Sequence, residues 1–318
     1  MSRSRCSLSR RHVLSTGALA LAGLSLPGWA WARPDLSRSI EPTIAKRGHP
    51  DYRFEQFTRH KGDGRYRIWL AIPKGTPPEK GFPIVYALDG NGALDDTTPT
   101  LLSALARAHP PIIVYLGYDT DKRFDVRQRH RDYTPARPGE SMVDRDGGPA
   151  GGATAFLTQV LDHWRPELER TLPVNANDRT FWGHSFGGLC VLNAFLTRPE
   201  TMASFIAASP SLGWGDALIP TMARQWHPPT TARPSLWLLK GGKEHTKTPP
   251  GAPAASDNDV MDIFELKETL SERAPDVAVE TTLLPDYGHG QMFTASLRMA
   301  LARVAGLDPT PWGTLESA

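Results

Sequence analysis

Apolar and polar positions along this chain alternate between two periods, and the alternation predicts the architecture. Tyr52 to Thr58 and Tyr66 to Ile72 read as strands, with Lys61-Gly62-Asp63-Gly64 as a turn between them. Phe82 to Leu88 is a near-continuous apolar run, the signature of a central parallel strand covered on both faces. Pro111 to Tyr118, Arg179 to Trp182, Ser204 to Ala208, Ser235 to Lys240 and Val277 to Leu284 read as further strands. Between and after them, Leu101 to Ala108, Ala153 to Leu172, Phe186 to Leu196, Gly215 to Trp226, Val260 to Ser271 and Gln291 to Val304 have helical spacing. Asp119 to Gly152 is a long polar stretch, rich in Arg, Asp, Pro and Gly, and long enough to suggest a functional loop. Strand–helix alternation with apolar strands implies an α/β fold, a mainly parallel sheet with helices on both faces. In such sheets ligands bind beyond the carboxyl ends of the strands.

The chemistry collects at those ends. Gly183-His184-Ser185-Phe186-Gly187, between a strand pattern and a helix pattern, is a G-x-S-x-G elbow that lifts Ser185 clear of the sheet. A serine hydroxyl needs a base, and His289, in Tyr287-Gly288-His289-Gly290 after the last strand, is the candidate. His245 is a weaker one. His184, beside the nucleophile on a sharp turn, should point away and be structural. Glu244, after Lys240, is the candidate acid, with Asp286 as the alternative. The order Ser, acid, His is that of the α/β-hydrolases. The oxyanion hole should use the backbone N–H of Phe186 and of Gly90 or Asn91, Asn91 being favoured. There is no P-loop, dinucleotide fingerprint or H-E-x-x-H motif, and the chemistry requires no metal and no organic cofactor.

The N-terminus changes the reading of charge. Ser9-Arg10-Arg11, an apolar run from Val13 to Leu26 and Ala30-Trp31-Ala32 form a twin-arginine signal peptide, residues 1–32, cleaved after Ala32 and followed by a single α/β domain, 33–318. The apolar run is too short and too rich in Gly and Ser for a membrane anchor. The whole chain has 36 basic and 34 acidic residues, but four arginines and no acid lie in the signal, so the mature chain is about −2. That excludes a polybasic nucleic-acid or membrane binder. The expected location is the periplasm, with the twin-arginine export machinery as the precursor's partner. Of two cysteines, Cys6 leaves with the signal and Cys190 is left as a small core residue, which excludes a disulfide framework and a cysteine zinc site.

Val85-Tyr86-Ala87-Leu88-Asp89-Gly90-Asn91, Asp132-Tyr133-Thr134-Pro135, Trp182-Gly183-His184-Ser185-Phe186-Gly187-Gly188 and Ala207-Ala208-Ser209-Pro210-Ser211 together resemble the putative-esterase family of α/β-hydrolases, in particular the siderophore esterases that cut enterobactin-type trilactones. The resemblance implies a nucleophile at Ser185 and a base at His289; some relatives work as a Ser–His dyad. Around Trp214 the family carries adjacent aromatics before an acid, whereas this chain reads Leu212-Gly213-Trp214-Gly215-Asp216, so a different pocket shape is expected. Lys122 to Arg131 holds five cations, His130 aside, against one acid. Arg129, which matches the family's arginine before Asp-Tyr-Thr-Pro, and Arg127 are therefore expected to recognise an anionic ferric catecholate, with Phe124 and Tyr133 stacking on its rings and Trp214 lining the pocket. The competing readings are an exported esterase acting on feruloyl or acetyl esters, an acyltransferase, or a non-catalytic binding protein on the same fold.

Overall fold

A computed structural model of the chain describes residues 38–40, 43–144, 147–229, 233–244 and 261–314. The expected signal peptide, its expected cleavage site and His245 lie outside the described residues. In chain order the elements are α1 (Thr43–Arg47), β1 (Tyr52–Lys61), β2 (Gly64–Pro73), β3 (Phe82–Ala87), α2 (Gly90–Asp95), α3 (Pro99–Ala106), β4 (Ile112–Tyr118), α4 (Val126–Tyr133), β5 (Met142–Val143), β6 (Pro149–Ala150), α5 (Ala153–Thr158), α6 (Arg165–Glu169), β7 (Val174–His184), α7 (Phe186–Thr197), β8 (Ser204–Ala208), α8 (Trp214–Arg224), β9 (Ser235–Gly241), α9 (Ile263–Arg273), β10 (Val279–Leu284) and α10 (His289–Val304).

Eight strands form one sheet in the order β1-β2-β4-β3-β7-β8-β9-β10, and β5 and β6 form a separate two-stranded hairpin. From β4 to β10 every neighbouring pair is parallel, while β2 runs antiparallel to both β1 and β4. The apolar runs explain the arrangement. Every residue of β3 and β4 is buried, and successive side chains point to opposite faces. Ile84 and Tyr86 join a core that includes α5 to α9; Val85 and Ala87 join one that includes α2, α3 and α10. Helices thus cover both faces, in the α/β-hydrolase fold. Each fully buried Phe, Leu or Ile contributes about 1.5–3 kcal/mol, and truncating a central one such as Phe181 to Ala would cost about 3–5 kcal/mol.

The differences from the sequence reading have physical causes. The polar stretch 119–152 contains α4, capped by the Asp125 carboxylate on the Gln128 N–H. Its buried side chains are Arg129, Asp132 and Tyr133, so it has no apolar stripe to read. The helix expected over Ala153–Leu172 is α5, a π-helical stretch Gln159–Trp164 and α6. Pro166, without an N–H, cannot complete an ordinary α-ladder there. In α8, Gly215, Asp216 and Ala217 are left-handed, so regular helix begins only after them. His289 is not in a loop but is the first residue of α10, behind a Gly288 cap whose N–H donates to the Gln291 side chain.

Candidate active site

β7 ends at His184, α7 starts at Phe186, and Ser185 between them is held at φ 59°, ψ −119°. A non-glycine residue persists there only when its surroundings over-determine it. The Ser185 N–H donates to the Ala208 carbonyl at 2.9 Å, and its own carbonyl accepts from Leu189 N at 2.9 Å and Ser211 N at 3.3 Å. A Cβ on Gly183 would run into the Gly187 carbonyl, and one on Gly188 would lie 2.9 Å from the Ala208 oxygen. The two glycines are therefore what allow strand, turn and helix to close on each other.

Residues that follow β8, β9 and β10 converge on the serine. His289 Nε2 lies 3.0 Å from Ser185 Oγ, and His289 Nδ1 lies 3.1 Å from Glu244 Oε2. With Nδ1–H donating to the carboxylate, Nε2 is left as the acceptor for the serine proton. The other oxygen of Glu244 accepts from Ser209 Oγ at 2.5 Å and Gly241 N at 2.8 Å. Burial pushes the Glu244 pKa up, but hydrogen bonds from His289, Ser209 and the Gly241 N–H outweigh it and hold the carboxylate below the ordinary glutamate value. Asp286, the alternative acid, is exposed and pairs with Lys243 at 3.0 Å. His184 is buried, turned away from Ser185 Oγ, and donates Nε2–H to the His289 carbonyl at 2.9 Å. Burial, with His289 and Arg129 nearby, keeps its imidazole well below the usual histidine pKa.

The proposed oxyanion donors sit where the fold offers free amides. The Phe186 N–H, first in α7, has no carbonyl one turn earlier, and Gly90 and Asn91 open α2 directly beyond β3, the strand beside β7. The Asn91 side chain is committed: Nδ2 donates to the carbonyls of Tyr118, Thr120 and Lys122, and Oδ1 accepts from Tyr118 N. Only its backbone could serve.

The cationic stretch differs from expectation. Arg129 is 9% exposed, and its Nε and Nη2 clasp both oxygens of buried Asp89 at 2.9 and 2.8 Å. Its guanidinium lies 5.7 Å from the ring centroids of both Tyr133 and Phe186. Arg123 pairs with Asp95 and Asp96, and Arg131 with Asp132. Of the five cations, Lys122 and Arg127 are exposed. Tyr133 is fully buried and its hydroxyl accepts from the Asp89 N–H at 3.0 Å, so it cannot stack on a ligand. Trp214 is part-exposed, bonded through Nε1 to the Pro135 carbonyl, and edge-on to Phe186 at 5.5 Å. His130, whose Nδ1 lies 3.0 Å from Asp144, packs edge-on against Phe186 at 4.7 Å. Asp89 and Ser209 were missed as functional neighbours, although both stand at strand ends where such residues are expected. Cys190 is buried and unbridged. Among the described residues no group of three or more His, Cys, Asp or Glu could hold a metal, and no helix is long and apolar enough to cross a membrane.

The chain is similar to known proteins along nearly all its length. Residues 61–251 match the family described as Putative esterase. An apo-salmochelin esterase of Escherichia coli O6:H1 is 34% identical over 309 residues, covering 94% of this chain and 93% of the relative. The ferri-bacillibactin esterase BesA of Bacillus subtilis is 33% identical over 163 residues, 48% of this chain and 56% of the relative. Among solved structures, the enterobactin hydrolase IroE in complex with DFP superposes with a TM-score of 0.71 at 32% identity, over 83% of this chain and 100% of that one. With an elbow serine on an α/β-hydrolase sheet and this match over its length, the chain belongs to the putative-esterase family and is a serine ester hydrolase.

Proposed function

We propose that this enzyme hydrolyses the ester bonds of a catecholate siderophore trilactone, and that it does so with Ser185 as nucleophile, His289 as general base and acid, and Glu244 as the carboxylate behind the imidazole. The observation that carries the mechanism is the unbroken line Ser185 Oγ, His289, Glu244, at 3.0 and 3.1 Å. Ser185 Oγ attacks the ester carbonyl while Nε2 takes its proton. The imidazolium, steadied by the ionised Glu244, then protonates the departing alkoxide. Water, deprotonated by the same nitrogen, attacks the acyl-enzyme and releases the carboxylic acid. The N–H of Phe186, with that of Gly90 or Asn91, stabilises the oxyanion, about 3 kcal/mol for one donor. The Arg129–Asp89 pair, with the guanidinium 5.7 Å from the Phe186 ring centroid, braces the elbow residue whose N–H faces the oxyanion.

The substrate class rests on the relatives. One relative, matched over nearly its whole length, is named an apo-salmochelin esterase, and others matched over part of theirs are named a ferri-bacillibactin esterase and a siderophore enterobactin esterase. The pairing of Arg123, Arg129 and Arg131 with internal acids supports the iron-free form here, because little free positive charge is left to meet a ferric tris-catecholate. The edge-on aromatic pair of Trp214 and Phe186 also suits a simpler aryl ester, which is the second reading. Export by the twin-arginine route, with cleavage after Ala32, would deliver the enzyme to the periplasm, where imported siderophores arrive. Turnover against a panel tests the proposal: iron-free and ferric trilactones, a feruloyl ester and a short nitrophenyl ester. The expected result is highest kcat/KM on the iron-free trilactone; no turnover of either trilactone, with good turnover of the feruloyl ester, would replace the siderophore reading by the second.

A further inference from the structure

The base in this site is an exposed residue at the very start of a helix. The His289 side chain is 48% exposed. A helix end is where a backbone frays first, yet a misplacement of about 1 Å at a reacting group can lower the rate about 100-fold. Something must fix where α10 begins relative to the nucleophile. The Gly288–Gln291 cap acts within α10 and fixes its first turn internally, but it does not tie that turn to β7.

Trp182 of β7 packs edge-on against Phe293 of α10 at 5.3 Å, and a second β7 side chain reaches His289 itself by a hydrogen bond. His184 directly precedes the nucleophile, and successive residues at a strand end project to opposite sides. Ser185 Oγ reaches His289 at the imidazole tip, 3.0 Å from Nε2; His184 Nε2–H reaches the same residue at its backbone, 2.9 Å from the carbonyl oxygen. The two rings lie 4.6 Å apart, and Phe293, one turn further along α10, closes the other side of His184 edge-on at 5.6 Å. Consecutive residues of the elbow therefore hold the base at two points.

We propose that His184 is a positioning residue for the reaction: its Nε2–H bond to the His289 carbonyl sets the distance from base to nucleophile. The inference rests on the reading of Ser185 and His289 as nucleophile and base. A side chain at this position must carry a donor at the reach of Nε2. Glutamine can supply one, asparagine is too short, and leucine has none.

The test uses His184→Gln, His184→Asn and His184→Leu in the full-length protein, with kcat and KM on a short nitrophenyl ester, melting temperature, and the NMR signals of the His289 imidazole. The Asn and Leu variants are expected to lose about 10- to 100-fold in kcat with KM within about twofold. Gln is expected to regain most of the rate, and the His289 ring signals should move or broaden in Asn and Leu but not in Gln. In a His289→Ala background the Leu change should cause no further loss. The proposal is overturned if a folded Asn or Leu variant keeps kcat within about twofold, if Gln is as impaired as Leu, or if the Leu penalty survives undiminished without His289. Should Leu fail to fold, the Asn–Gln contrast decides alone. Should the wild type itself turn over no ester, the hydrolase reading fails, and the ring signals still decide whether His184 holds His289.

Discussion

Two charged or polar regions flank Ser185, the proposed nucleophile, and they behave in opposite ways. At the carboxyl ends of β7, β9 and β10, residues far apart in sequence meet: Ser185, Glu244 and His289 form one hydrogen-bonded line. In the stretch from Lys122 to Tyr133, residues close in sequence look like a ligand-binding cluster, yet most turn inward. Arg123, Arg129 and Arg131 each have a carboxylate partner, and Tyr133 is buried under Asp89. A cation in the sequence is not a free charge in space. Burying an arginine demands a paired acid, and here the acids come from the loop after β3, from the C-terminal end of α2 and from α4 itself. What α4 brings to the site is rigidity and one captive guanidinium, not an open anion sieve.

The largest effects should fall on the first region. Ser185→Ala and His289→Ala are each expected to abolish measurable ester turnover, and the double variant should be no worse than either, because the two act as a unit. Kinetics of the three proteins, with circular dichroism to confirm folding, check this; additive losses would break the unit.

Next comes Glu244→Gln, expected to lower kcat by about 10² to 10⁴ with little change in KM. An effect below threefold would make the site a dyad.

The third prediction sets the regions against each other. Arg129→Ala should slow a trilactone and a neutral nitrophenyl ester by similar factors, of at least about tenfold, and should lower stability by about 3–5 kcal/mol, because Asp89 is left buried and unpaired. Arg127→Ala, an exposed change, should alter neither rate by more than about twofold. If Arg129→Ala spares the neutral ester and raises KM only for a ferric trilactone, the stretch is an anion sieve after all.

The smallest effect is on stability against pH. His184 is held neutral by burial, with His289 and Arg129 nearby, so its folded pKa lies below the unfolded value of about 6.5. The unfolded chain then binds a proton that the folded chain refuses, and stability is lost as pH falls below about 6.5. For this one group the slope is at most about 1.4 kcal/mol per pH unit. His184→Gln should flatten the decline in chemical-denaturation stability between pH 7 and pH 5; an unchanged slope would mean that His184 titrates normally.

Much of this was legible in the sequence. The buried strands β3 and β4 are written as apolar runs, and the elbow is written as glycines around Ser185, because both depend on local packing and backbone space. The candidate acid and base could be ranked because the fold orders strand ends, and a chemically competent residue stood at each. The helix α4 could not be read, because its buried side is held by ion pairs and hydroxyls in place of apolar residues. Nor could the fate of Arg129, since Asp89, its partner, lies forty residues earlier and only the sheet brings them together. The left-handed turn at Gly215–Ala217 is likewise a tertiary feature, lying where Trp214 and Arg137 bond across to the Pro135 and Gly215 carbonyls.

The central claim, that Ser185 is a nucleophile activated by His289, is tested most directly by intact-protein and peptide mass spectrometry after exposure to a fluorophosphonate. The account predicts one adduct per chain, mapped to Ser185, absent from Ser185→Ala and formed at least about 100-fold more slowly in His289→Ala. An adduct on another residue, or labelling of Ser185 at an undiminished rate without His289, would contradict it.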